Sequence, residues 1–311
     1  GMVQADIAVC DGKIAAIGNL GDEISAVEQM DMTDLHILPG LIDPHIHLGL
    51  YRSYEDDCRS ETAGALCGGV TTTGVFFGSP APYEDVLDDI WEKTSKAIYT
   101  DMIFHLFLRT PHQIEHIKEY REKYGIRSFK AYMCGVPNVV GPLEDGLLFN
   151  AMQRISELGD SMICVHAEND SLVNFASNEV LSEGGEISLE RWSDTHPNIS
   201  EEEALYRAAF FAKKANVKLY VVHLSTKDAT VALPDLTNEN LFIETITPYL
   251  TCTRKDGYGI LGKMLPPFRD AEDVDALWEG LDKGFIHTIG NDHISLSKEV
   301  KLESNDIRKA T

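Results

Sequence analysis

The decapeptide LIDPHIHLGL, residues 41–50, sets two histidines two residues apart at the end of an apolar run. Successive side chains of an extended strand point to opposite faces. Asp43, His45 and His47 therefore share one face, and Pro44, Ile46 and Leu48 the other. Two imidazoles on one face can hold a metal ion; they can equally be half-buried histidines with ordinary partners. His166 closes SMICVHAEN, His223 closes KLYVVHLST, and Asp292 follows FIHTIGND. Each stands where an apolar run gives way to a polar stretch. A single such histidine is usually structural. Four of them with an aspartate point to a shared site, because neutral imidazole and carboxylate are the usual ligands of zinc and related divalent ions.

Lys130, inside RSFKAYM, adds a second signal. Alternation places Ser128, Lys130 and Tyr132 on one face and Phe129, Ala131 and Met133 on the other. If the apolar set packs under helices, Lys130 points inward, where an ammonium is costly. It can snorkel to solvent, find a carboxylate, or react as the neutral amine with CO2. The resulting carbamate is an anion with two oxygens, able to bridge two metal ions.

The elements that would position these residues read as alternating strands and helices. Strands are expected at GLIDPHIH, VTTTGVFF, MIFHLFL, IRSFKAYM, SMICVHAE, VKLYVVHLS, LFIETI and FIHTIG, with helices at 83–98, 112–123, 145–158, 200–215 and 272–283. Ser200 and Glu203 have the spacing of a capping box. Eight strand-like runs with crossovers suggest a parallel α/β fold, either a doubly wound sheet or a (β/α)8 TIM barrel. In a barrel, the histidines and Asp292 fall at the C-terminal strand ends, where barrel enzymes do chemistry. The first 40 residues differ. ADIAV, then Asp11-Gly12, then KIAAIG reads as a β-hairpin.

The chain has 311 residues and a formal net charge of −23, from 27 Lys and Arg against 50 Asp and Glu. Such a field disfavours nucleic acid and anionic membranes as partners. Six cysteines lie scattered without a CxxC pair, which fits a reducing cytoplasm rather than a disulfide framework. The longest uncharged run, residues 62–83, is broken by glycine and proline and reads as helix end, strand and loop, not a membrane span.

The order HxH, Lys, His, His, Asp resembles the amidohydrolase superfamily. The local contexts PGLIDPHIHLG, GGVTTTGVFF, SFKAYM, CVHAEN, YVVHLST, KMLPPFR and NDH look like its cyclic-amide hydrolases: dihydropyrimidinase (hydantoinase), allantoinase and dihydroorotase. The resemblance implies a TIM barrel over 41–311, with residues 1–40 part of a small β-domain built from both chain ends. It implies two divalent metal ions, zinc foremost. His45, His47 and Asp292 would hold one ion, His166 and His223 the other, and N6-carboxylated Lys130 would bridge them. It also implies a homo-oligomer, dimer or tetramer. Both ends look short against the family: GMVQADIAV resembles the second strand of the small domain, and 19 residues follow Asp292.

The expected activity is ring opening of a cyclic amide or ureide by a metal-bridging hydroxide, with Asp292 as general base and then general acid. Allantoinase-like or dihydroorotase-like activity is the alternative, as is a non-catalytic dihydropyrimidinase-related scaffold. A one-metal deaminase is set back by the Lys130 context. Gly135 stands where hydantoinase-like enzymes carry a substrate-polarising tyrosine, leaving Tyr132 as the candidate substrate-binding residue. Gly49 stands where dihydroorotases often carry an arginine, and Leu265 where the family has asparagine. Glu168 and Asn169 are candidates to orient His166, and His293 to support Asp292 from its flank. His36, His105, His112, His116, His196 and His287 read as structural or surface residues.

Overall fold

A computed structural model of the chain describes residues 1–21, 25–137 and 139–310. The chain divides into two compact units, Gly1–Pro39 and Gly40–Thr311. In the first, β1 (Asp6–Cys10) pairs antiparallel with β2 (Lys13–Gly18). Asp11 and Gly12 both take positive φ, 52° and 72°. That is the two-residue turn whose twist matches a hairpin. Ile7, Val9, Ile14 and Ile17 are exposed on this ribbon.

The second unit is a parallel barrel. Its strands are β3 (Leu41–His47), β4 (Val70–Phe77), β5 (Asp101–Phe107), β6 (Ser128–Tyr132), β7 (Met162–His166), β8 (Lys218–Val221) and β9 (Leu241–Ile246). An eighth strand is broken into β10 (Thr288–Gly290) and β11 (His293–Ile294). Neighbours pair in chain order, β10 lies parallel to β9, and β11 lies parallel to β3. The broken strand thus joins both edges of the sheet and closes the ring, in place of an open doubly wound sheet. All eight expected runs form strands. Helices follow each of β3 to β9, including Tyr54–Cys67, Leu87–Ala97, Ile117–Tyr124, Asp145–Ser156, Asn198–Ala215 and Ala271–Asp282.

Strand alternation builds two separate apolar regions. Phe129, Ala131, Ile163, Val165, Leu219 and Val221 face outward and pack with helix residues such as Leu148, Leu205 and Leu277. Phe76, Phe107, Tyr132, Cys164, Tyr220 and Val222 fill the barrel interior. Lys130 shares the inner face and is fully buried. The run 62–83 resolves as expected: a helix to Cys67, β4, then loop.

The capping box at Ser200 does not form. The helix opens two residues earlier, after Pro197, so Ser200 lies inside the first turn with its hydroxyl unpaired among the described residues. Glu203 pairs instead with Asn169 and Arg207. A capping box does form at Asp270 and Asp273, opening the helix Ala271–Asp282. No helix among the described residues is long and apolar enough to cross a membrane.

Candidate metal centre

The first group of donors comes from β3 and the break in the eighth strand. His45 and His47 are buried on the inner face, two residues apart. Asp292 sits in the break with φ 50°, an uncommon backbone state for a non-glycine residue, often retained at functional sites. Asp43 pins this kink. Its carboxylate accepts from the Asn291 backbone N–H at 3.2 Å and side-chain amide at 2.7 Å. The Asp292 carboxylate then meets both imidazoles, with Oδ1 3.1 Å from His45 Nε2 and 3.0 Å from His47 Nε2. Ligand atoms of these three residues all lie within 4.8 Å of one another.

The second group comes from β7 and the end of β8. His166 Nδ1 lies 3.0 Å from His223 Nε2, and both rings are buried. His223 also has positive φ, 44°. The two groups adjoin, with the His45 and His223 rings stacked 5.7 Å apart.

Lys130 lies between them. Its Nζ is 4.9 Å from the Phe76 ring centre and 5.0 Å from that of Tyr132. Phe76 abuts His45 at 4.2 Å, while Tyr132 stacks on His166 at 5.3 Å. Nζ has no hydrogen-bond partner among the described residues. Burial brings the amine down to about 8, against a weaker upward pull from Cys164, Asp292 and Glu244. The amine is therefore neutral far more often than an exposed lysine, as carbamate formation requires.

Burial and the neighbouring carboxylates set the protonation of these histidines. Burial would lower His45, but Asp292 and Glu244 carry it up to about 9. His47, His166 and His223 are held below the ordinary histidine value, chiefly by burial, which keeps them neutral and able to ligate. Burial would raise Asp292, yet His45 and His47 hold its carboxyl well below the usual range.

Glu244 on β9 was not singled out from sequence. Its Oε1 lies 2.7 Å from His45 Nδ1 and accepts from the His223 backbone N–H at 3.1 Å; its Oε2 accepts from the Tyr220 hydroxyl at 2.6 Å. One buried carboxylate thus touches both histidine groups. The available signal was a lone acidic residue inside the β-branched run LFIETI.

Glu168 does orient His166, with Oε2 2.9 Å from Nε2. Its other oxygen lies 3.0 Å from Nδ1 of His196, which is therefore a buried partner of this network and not a surface histidine. Asn169 does not orient His166; its side chain caps the helix Asp170–Ser182. His293 turns outward to Glu61 at 2.7 Å and is exposed, so it does not support Asp292. Carboxylates behind metal-binding imidazoles fix ring orientation and basicity. Glu168→Gln is accordingly expected to lower metal affinity about 10–100-fold while the protein stays folded, measured by competition with a chromogenic chelator.

The donors fit a pair of divalent ions on one observation. Lys130 as an ammonium is an unpaired buried charge amid four imidazoles, whereas its carbamate would supply oxygens to both groups. A second constellation with metal-binding chemistry, Glu84 with His112 and His116, lies largely at the surface away from these residues.

No family model matches the chain. An allantoinase of Escherichia coli O1:K1 is 30% identical over 318 residues, covering 98% of this chain and 68% of that protein. The chain belongs to the cyclic amidohydrolase group. An L-hydantoinase of Paenarthrobacter aurescens is 31% identical over 306 residues, 94% of this chain, and the chain spans 65% of that relative's length. The solved L-hydantoinase (dihydropyrimidinase) from Arthrobacter aurescens superposes with a TM-score of 0.88 at 29% identity, covering 100% of this chain and 70% of that one.

Within the group, the two glycine departures have structural correlates here. Gly49 has φ 77°, and a Cβ there would lie 3.1 Å from Tyr54 Cβ, so an arginine would be strained on this backbone. The backbone N–H of Gly135 donates to Asp170 at 3.0 Å. Tyr132 is buried on the inner face and makes no side-chain hydrogen bond among the described residues. Burial, then Asp292, pushes its hydroxyl above the usual value, so it stays a donor.

Proposed function

We propose that this chain carries a binuclear metal centre and hydrolyses a C–N bond of a cyclic amide or ureide. The observation that carries the reading is Lys130, fully buried and unpartnered among the described residues, between the His45–His47–Asp292 group and the His166–His223 pair. Its neutral amine would add CO2, forming a nitrogen–carbon bond and releasing a proton. The carbamate would then face both groups. When bound, two divalent ions, zinc foremost, polarise a scissile carbonyl and make water a nucleophile near neutral pH.

This chain's own residues supply the remainder. Asp292, kept ionised and partly open to the barrel mouth, takes the proton of the attacking water and passes it to the leaving amide nitrogen. Glu244 holds the His45 ring and Glu168 the His166 ring. Tyr132, one row above Lys130 on the inner face, would donate to the substrate carbonyl. An oxyanion donor of this kind is typically worth about 10²–10³ in kcat. The substrate class rests on the hydantoinase and allantoinase relatives. Six free cysteines support a reducing, cytoplasmic setting.

Ring-opening assays on hydantoin, dihydrouracil, allantoin and dihydroorotate, run on metal-loaded protein, test this reading. Turnover of at least one ring is expected, abolished by chelator and restored by zinc, cobalt or manganese. Failure to open any of them in protein shown to hold metal would refute it.

A further inference from the structure

Arg109 is the cation in the barrel for which the proposed chemistry has no use. It lies two residues beyond Phe107, the last residue of β5. Phe107 pairs with Lys130, and the ladder continues past it, since the Leu108 N–H donates to the Lys130 carbonyl. Two residues further on, Arg109 stands level with Tyr132, and Tyr132 pairs with His166. Arg109 thus occupies the same row as His166, on the inner face set by Phe107.

The side chain is placed rather than loose. Its guanidinium carbon lies 5.5 Å from the Phe107 ring centre, and that ring sits 5.2 Å from Tyr132 and 6.0 Å from His47. A Cβ on Gly78 would come within 2.7 Å of Nη2, so the guanidinium crosses the glycine that follows β4. The Arg109 backbone N–H donates to Gln113 Oε1 at 2.8 Å, and the Gln113 amide donates to the Ser79 and Ala81 carbonyls. One buried glutamine therefore ties the Arg109 segment to the loop beyond Gly78.

What Arg109 lacks is an anion. Its Nε is buried without a partner, and no carboxylate pairs with it among the described residues. This is in a chain of net charge −23. A buried donor left unsatisfied is costly, and a planar guanidinium matches a carboxylate bidentately.

We propose that Arg109 forms an anion subsite at the barrel mouth, taking a carboxylate carried by the cyclic substrate away from its scissile bond. The proposal rests on the reading of the barrel as a cyclic-amide hydrolase. At roughly 4.8 Å between neighbouring strands, Arg109 is about 10 Å from His166 along the row, a span that a six-membered ring and an arginine side chain together cover. Gly49 leaves β3 without a cation, so the positive charge reaches the substrate from the β5 side instead.

The test uses two inert rings, orotate and uracil, which differ by one carboxylate. Their Kd values are measured by calorimetry on metal-loaded wild type, Arg109→Gln and Arg109→Lys. Wild type is expected to favour orotate by at least about tenfold, the scale of a charge-assisted pair. Arg109→Gln should erase that preference while shifting uracil far less, and Arg109→Lys should keep part of it. No orotate preference in wild type, or an equal loss for both rings in Arg109→Gln, would overturn the proposal. A parallel comparison of kcat/KM on dihydroorotate and dihydrouracil separates the two readings. If none of hydantoin, dihydrouracil, allantoin and dihydroorotate opens while the orotate preference is present and depends on Arg109, the subsite stands and the hydrolase reading falls.

Discussion

Lys130→Ala is expected to strip the barrel of metal and activity together. The side chain is fully buried and touches Phe76 and Tyr132, which in turn contact the two histidine groups. Without a bridging anion, four imidazoles and one carboxylate must share two dications, and their mutual repulsion in a buried site is no longer offset. Metal content should fall from two ions per chain toward one or none, with kcat down by at least about 10³, the upper range for losing one electrostatic group at a reacting centre. A short carboxylic acid added to this variant should restore part of each, by supplying the missing oxygens. Elemental analysis and turnover, measured on the same samples, check the coupling. A variant that keeps both ions and full activity would show that Lys130 bridges nothing.

Glu244→Gln is expected to be the next most damaging change, and through stability as well as metal. Three buried donors, at His45, Tyr220 and the His223 backbone, converge on this carboxylate. In the amide the contact to Tyr220 must reverse, with the NH2 donating to the hydroxyl, and the negative charge beside His45 is lost. Breaking a buried charged network in this way typically costs about 3–5 kcal/mol. The thermal midpoint should drop clearly, and metal affinity should weaken by about 10–100-fold. Calorimetric unfolding with and without zinc separates the two effects. Unchanged unfolding would mean that Glu244 is not holding the histidines.

The parts of this molecule that were readable from sequence share a physical cause. Each barrel strand is a short run with an outward apolar set, so the eight runs marked themselves. His45, His47, His166, His223 and Asp292 sit where those runs turn polar, and alternation, with the apolar set packed under helices, put Lys130 and Tyr132 on the inner face. What was not readable depends on contacts distant in the chain. Glu244 looks like an ordinary strand residue until it meets His45, 199 positions away. Asp43 shares the face of the histidines, but its role needs Asn291, 248 positions away. The break that turns Asp292 inward is a backbone state, φ 50°, that its residue type permits but does not demand. The same break sends the neighbouring His293 outward to Glu61. At Ser200, spacing suggested a cap, yet the helix begins from Pro197 and the motif falls one turn inside.

Two ions are expected to sit in one barrel. Protein expressed in zinc-supplemented medium, desalted and analysed for metal against protein mass, tests it most directly. Two zinc ions per chain are expected in the wild type and one in a combined His166→Ala and His223→Ala variant, which removes the imidazoles of only one group. A wild-type ratio that stays at one, with anomalous scattering confined to His45, His47 and Asp292, would contradict the account.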